Sequence, residues 1–351
     1  MSDHVSVRTE GRAGRITLTR PSALNALDHD MCLAIEQALL DWVEDPNVTL
    51  VILDAEGDKA FCAGGDIAGV YREAQEGRGQ SAVDFWRDEY RMNALIAEYP
   101  KAVMSFMQGY VMGGGVGVGC HGSHRVVCDS TRIAMPECGI GLVPDVGGSL
   151  LLARVPGRLG EWLGLTGARM DAGDAIWAGF ADLYVPYEAW AEAIAKLSES
   201  GQPSAITEFA APAPKATLPD KLNDAEATCG GETLRDVVNA LRTDDSEFAA
   251  ETLAKVEASA PLSMGATLEL LHRLKSGSAD IRRALDLEFR FTSRALEHAD
   301  FLEGVRALLI DKDKSPRWRH EVDGLPLTDV ARMFRPLEVD EINFHDLGET
   351  A

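Results

Sequence analysis

Basic residues are scarce in this chain. Its 34 Lys and Arg stand against 56 Asp and Glu, a formal charge of −22. Sequence-independent nucleic-acid binding needs cationic side chains to replace phosphate counterions, so that class of partner is excluded. An anionic ligand is not excluded, because a few local cations and helix N-termini hold phosphate on an acidic protein. Long apolar runs are missing too: none reaches the ~20 residues that cross a bilayer. The nearest, residues 103–119, holds six glycines. The opening residues, Met1-Ser2-Asp3-His4-Val5-Ser6-Val7, lack a basic region leading into an apolar stretch, so no signal peptide is expected. The six cysteines (Cys32, Cys62, Cys120, Cys128, Cys138, Cys229) show neither metal-ligand spacing nor a disulfide-dense pattern. Five lie within or beside apolar runs, where a free thiol acts as a small hydrophobe. The expectation is a reduced, cytoplasmic protein with no metal and no membrane partner.

What is present is enough apolar residue, 46% of 351, to bury a large core. Alternation in 4–9 and 15–19 around Glu10-Gly11-Arg12-Ala13-Gly14 predicts a β-hairpin. Residues 28–43 carry apolar side chains at helical spacing, with Asp28 as N-cap and Asp45-Pro46 as stop. Short apolar runs at 49–53, 101–107 and 125–128 read as buried strands, and 66–76 and 82–97 as helices. Strands alternating with helices point to an α/β fold with parallel pairing. Beyond the aperiodic stretch Ala210-Ala211-Pro212-Ala213-Pro214-Lys215-Ala216, only helical patterns follow, at 234–241, 246–258, 262–274, 280–296 and 301–309. The expected division is an α/β core at 1–209 and a helical region at 210–351 packed on it.

Two glycine-rich turns, Phe61-Cys62-Ala63-Gly64-Gly65-Asp66 and Met112-Gly113-Gly114-Gly115-Val116-Gly117, each follow a predicted strand. The second has no following Lys-Ser/Thr, which excludes a nucleotide-phosphate loop. Glycine lets backbone N–H groups approach a ligand closely, and it equally makes tight turns with no ligand. Downstream lie two carboxylates, Glu137 after Pro136 and Asp145 after Pro144. Taken singly, each reads as a helix-start or turn residue. Together, main-chain donors and carboxylates suit chemistry at a carbonyl whose oxygen becomes an anion. Cys62 reads as a packing residue, Asp66 as a helix cap, and His121 and His124 as structural histidines.

The ordered motifs resemble the crotonase (enoyl-CoA hydratase/isomerase) superfamily, and within it the 3-hydroxyisobutyryl-CoA hydrolase branch. They are Arg20-Pro21-Ser22-Ala23-Leu24-Asn25-Ala26-Leu27, Lys59–Ile67, Met112–Gly117, Ala134–Glu137 with Ile140–Gly148, Leu165-Thr166-Gly167-Ala168-Arg169, and Glu303–Asp313. The resemblance implies a spiral of ββα units, followed by the helical region, that binds an acyl-CoA as substrate and needs no cofactor. It implies that the amides of Gly65 and Gly114 hold the thioester oxygen. Glu137 falls on the catalytic glutamate, Asp145 on an aspartate of the hydrolase branch, and Glu89 on an acidic substrate-binding position. Hydratases of the superfamily carry a second glutamate where this chain has Gly117. Ser22 stands where a Lys is frequent, and Asp182-Leu183 where a Thr-His pair is common.

The activity so implied is hydrolysis of a short-chain acyl-CoA, with 3-hydroxyisobutyryl-CoA first, in valine breakdown. Glu137 either attacks the carbonyl or activates water; Asp145 orients water, contacts the acyl hydroxyl or protonates the thiolate. An enoyl-CoA hydratase or isomerase is the alternative, and a non-catalytic acyl-CoA-binding module a further one. Arg20, Lys101, Lys312 and Lys314 are candidates for the CoA phosphates. Relatives that form trimers make a homo-oligomer a further expectation.

Overall fold

The computed structural model describes residues 3–275, 278–337 and 342–346. Strands β1 (Val5–Glu10) and β2 (Ala13–Leu18) pair antiparallel, with Glu10 opposite Ala13. The connecting loop is therefore two residues, Gly11-Arg12, shorter than the five expected, because a glycine at φ 57° lets a tight turn follow the twist of the strands. Helix α1 (His29–Val43) starts at Asp28, whose carboxylate accepts the Met31 N–H at 2.9 Å. Its Met31, Ile35, Leu39 and Trp42 are buried.

A repeating unit follows, in which a longer strand, a short strand and helix succeed one another. The first holds β3 (Leu50–Ala55), β4 (Ala60–Cys62), α2 (Ile67–Gln75) and α3 (Gly79–Ala97). The second holds β5 (Ala102–Met107), β6 (Tyr110–Met112) and α4 (Gly114–Gly119). The third has β7 (His124–Val127), β8 (Arg132–Ala134), a single 3₁₀ turn at Glu137–Ile140, and α5 (Gly148–Arg154). Helices α6 (Leu159–Thr166) and α7 (Ala172–Trp177), strand β9 (Leu183–Tyr184) and helix α8 (Trp190–Ser200) complete this part.

The long strands form one sheet in the order β1-β2-β3-β5-β7-β9, parallel from β2 onward. The short strands form a second parallel sheet, β4-β6-β8. Each unit thus gives one strand to each sheet before its helix, and the units wind as the ββα spiral that the motifs imply. The three short strands escaped the sequence reading, since three residues are too few to set a periodicity.

Helices α9 (Leu222–Thr228), α10 (Leu234–Thr243), α11 (Glu247–Ala258), α12 (Pro261–Lys275) and α13 (Ile281–His298) follow. Next come α14 (Phe301–Val305), a π-helical turn at Arg306–Ile310, and α15 (Leu327–Met333). The expected helix 301–309 is thus divided, and Leu308, Leu309 and Ile310 on the π turn are exposed. α12 packs on α5 and α6, and α13 on α3. One hydrophobic core runs through both parts, joining Leu27, Val116 and Leu150 to Leu271, Leu285 and Phe301. Aromatic edges join them, Tyr90 to Phe289 at 6.1 Å and Trp86 to Phe301 at 5.6 Å. No described helix is long and apolar enough to cross a membrane.

Candidate active site

Main-chain geometry comes first. After β4 the chain turns through Gly64 at φ 119°, a conformation L side chains rarely adopt. The turn is tied to the 20–27 motif: the Leu27 N–H donates to the Gly64 carbonyl at 2.8 Å and the Asp66 N–H to the Leu27 carbonyl at 2.7 Å. Between these bonds the Gly65 amide is left without an acceptor among the described residues. After β6 the chain turns again through Gly113 at φ 49°, and Gly114 opens α4 with its amide likewise unbonded. The two turns meet: a methyl on Gly114 would lie 3.4 Å from the Gly65 nitrogen.

The carboxylates arrive from other elements. Glu137 heads the 3₁₀ turn after Pro136, and a methyl on Gly113 would lie 2.9 Å from its Oε1. Glu89 comes from the middle of α3, with Oε1 2.7 Å from a methyl on Gly114. Asp145 follows Pro144 and accepts a hydrogen bond from the Tyr90 hydroxyl at 2.7 Å. Glu137, Asp145 and Glu89 are 5%, 4% and 3% exposed, so these are interior acids rather than surface charges. All three line a cleft of about 410 Å³ with Gly65, Gly114, Arg20 and an apolar wall of Phe85, Trp86, Leu142 and Leu309. The five residues singled out from sequence are therefore brought together.

Electrostatics follow from burial. Desolvation, then the neighbouring Asp145, pushes Glu137 well above the usual carboxylate range. Glu89 is raised by the same two causes. Burial pushes Asp145 up to about 6, and the Tyr90 hydroxyl opposes the rise. Oε2 of Glu137 and Oε1 of Glu89 are buried without a partner among the described residues, which fits groups aimed at a ligand. Acids this close titrate as a set and do not all ionise together.

Position 117 is closed. A methyl there would lie 2.7 Å from Nδ2 of Asn93 and 2.8 Å from Cβ of Val146, so Asn93 and Val146 occupy the space a second glutamate would enter.

A family model described as Enoyl-CoA hydratase/isomerase matches residues 13–334. The chain belongs to the enoyl-CoA hydratase/isomerase family. Its curated relatives include the mitochondrial 3-hydroxyisobutyryl-CoA hydrolase of Homo sapiens, 35% identical over 98% of this chain and 91% of that protein. The corresponding protein of Xenopus tropicalis is 38% identical over 89% of this chain and 83% of its own length. A solved structure described as an enoyl-CoA hydratase from Rhodobacter sphaeroides 2.4.1 is 51% identical, with TM-score 0.92 over 97% of this chain and 100% of that one. Another, described as a carnitinyl-CoA dehydratase from Mycobacterium thermoresistibile, is 39% identical with TM-score 0.92, covering 98% and 99%.

Other expectations meet specific structure. Cys62 is buried, its thiol pushed up to about 12 by desolvation, as a packing residue requires. Asp66 caps α2 through the Gly69 N–H at 3.0 Å and also holds Arg20 at 2.9 Å. Lys101 is not at the cleft; its ammonium donates to the carbonyls of Trp42 and Asp45 at the end of α1. Lys312 and Lys314 lie beyond the π turn in left-handed conformations, φ 57° and 53°. Asp182 pairs with Arg125 at 2.6 Å beside β9, so the departure there leaves the cleft untouched. Sequence reasoning missed Tyr90, Asn93 and Glu288. The first two share α3 with Glu89, one and four residues on. Glu288 interrupts the apolar stripe Ile281, Ala284, Leu285, Ala295 of α13, and a charge on a buried stripe was the available signal.

Proposed function

We propose that this chain hydrolyses a short-chain acyl-CoA thioester, with 3-hydroxyisobutyryl-CoA as the leading substrate. The observation that carries this reading is the meeting of the Gly65 and Gly114 amides beside Glu137 and Asp145, with position 117 closed to a second glutamate. The thioester oxygen would lie between the two amides, which gain strength as charge develops on it. Glu137, once ionised, would either attack the carbonyl carbon, giving an acyl anhydride and CoA thiolate, or take a proton from the attacking water. The thiolate needs little help, since a thiol of pKa about 8.5 leaves readily as its anion. Asp145 and Glu89 would hold the water and the acyl hydroxyl. The names of the curated relatives support the choice of acyl group and, through it, a place in valine breakdown. Six buried free thiols fit a reducing compartment such as the cytoplasm.

The second reading is an enoyl-CoA hydratase, favoured by the description of the 51% identical solved structure. Syn addition of water in this superfamily uses a glutamate pair, and the closed position 117 weighs against it here. The deciding experiment offers 3-hydroxyisobutyryl-CoA, 3-hydroxypropionyl-CoA and crotonyl-CoA in parallel, following free thiol and loss of the enoyl absorbance. Thiol release from the hydroxyacyl esters is expected. Rapid hydration of crotonyl-CoA without thiol release would replace the proposal with the hydratase.

A further inference from the structure

One peptide unit beside the cleft, joining Val146 to Gly147, is gripped at both ends, by the half-buried His121 and the buried Glu288. Asp145 to Gly148 form a tight turn closed by the Gly148 N–H on the Asp145 carbonyl at 2.7 Å. Both central residues are left-handed, Val146 at φ 54° and Gly147 at φ 77°, ψ 0°. Those angles describe a type I′ turn, which takes Asn, Asp or Gly at its first central position. A β-branched valine there is strained. Strain of this kind persists only where the surroundings over-determine the backbone.

The surroundings here do so from opposite sides. His121, just beyond α4, donates from Nε2 to the Val146 carbonyl at 2.7 Å, which assigns the proton to that nitrogen. Glu288, on α13 and 141 residues away in sequence, accepts the Gly147 N–H at 2.8 Å and pairs its other oxygen with the Ser149 hydroxyl. The carbonyl and the N–H of one peptide are thus held by two different elements, so the peptide cannot turn over without breaking both bonds. Asp145 is the residue immediately before this turn, and the direction of its side chain depends on it.

We propose that His121 and Glu288 are positioning residues that lock the 146–147 peptide and thereby aim Asp145 into the cleft. This rests on the acyl-CoA reading of the site and assigns the C-terminal helices a share in it. A misplacement of about 1 Å in such a group costs up to about a hundredfold in rate.

The test is a double-mutant cycle in the full-length protein, read as thiol release from the acyl-CoA that the wild type turns over. Glu288→Leu and His121→Phe are each expected to lower kcat by about tenfold or more, with KM within about twofold. In an Asp145→Asn background the same changes should cost less than about twofold, because the group they aim is gone. Glu288→Gln, which still offers an oxygen to the Gly147 N–H, should recover kcat to within about threefold of wild type. Equal losses with and without the Asp145 carboxylate, or a wild-type kcat in Glu288→Leu, would overturn the assignment. If Glu288→Leu does not fold, His121→Phe carries the same cycle from the other end; failure of both to fold would make the pair folding residues and overturn it too. A wild type that releases no thiol from any acyl-CoA sinks the functional reading instead. The lock is then judged by a crystal structure of Glu288→Leu, where Val146 is expected to relax to negative φ and an unchanged turn refutes it.

Discussion

Tyr90 donates its hydroxyl hydrogen to Oδ2 of Asp145 at 2.7 Å, with both groups buried. The bond favours the ionised acid, while burial holds Asp145 up to about 6. Tyr90→Phe removes the donor, so ionisation requires higher pH. The acid limb of kcat/KM is expected to move upward by about one to two pH units. A pH–rate profile checks this, and an unmoved limb would show that Asp145 does not govern it.

Glu137→Gln should lower kcat for thiol release by about 10²–10⁴-fold. It should not lower the melting temperature, because burial already favours the uncharged acid and the amide mimics its shape. Steady-state kinetics with parallel calorimetry separates the two effects. A variant as fast as wild type would remove Glu137 from the chemistry.

Gly114→Ala tests the paired amides. Its methyl would stand 2.7 Å from Oε1 of Glu89 and 3.2 Å from Cδ1 of Leu27, inside the space the thioester oxygen would take. A loss of about 10²-fold in kcat is expected, comparable to removing one oxyanion donor.

Gly117→Glu asks whether a hydratase can be restored by installing the absent acid. Asn93 and Val146 already fill that volume. The variant is expected to gain no crotonyl-CoA hydration and to lose at least about 1–3 kcal/mol of stability to overpacking. Chemical denaturation and the enoyl absorbance assay provide the two readings.

Much of this site was legible because its parts are local in sequence. Gly64-Gly65, Gly113-Gly114 and Pro136-Glu137 each lie within a short local motif, and it was the family resemblance carried by those motifs in order, not the spacing of any one turn, that implied a donor or an acid there. Asp28 and Asp66 were legible as helix caps from local sequence alone. The grips on the Asp145 turn were not, because Glu288 reaches Gly147 only through the packing of α13. The short strands were invisible individually; they exist because β4, β6 and β8 pair with one another, not because three residues prefer that state. Lys101 misled for the converse reason: a cation on a phosphate and a cation on helix-end carbonyls look alike in sequence.

Stability should depend on pH through the buried acids. Burial pushes Glu288 up to about 8 from an ordinary 4.5, against the lowering effect of Ser149 and Gly147. Its folded pKa lies above the unfolded one, so the folded state holds the extra proton. The stabilisation is complete below the unfolded pKa and is lost as pH rises through about 8. A melting temperature falling between pH 5 and 8 is expected, with a slope of up to about 1.4 kcal/mol per pH unit for one proton. Glu89, Glu137 and Asp145 tilt the curve the same way, so Glu288→Gln should flatten it in part. Thermal melts of both proteins across that range decide it.

Phe289 and Phe301 meet the rings of Tyr90 and Trp86 on the same helix that carries Glu89. A nascent chain that still lacks those two phenylalanines leaves that aromatic face uncovered beside an unfinished cleft. That face is therefore completed only once residue 301 has been made, and until then it is an exposed apolar surface of the kind that promotes association between partly folded chains.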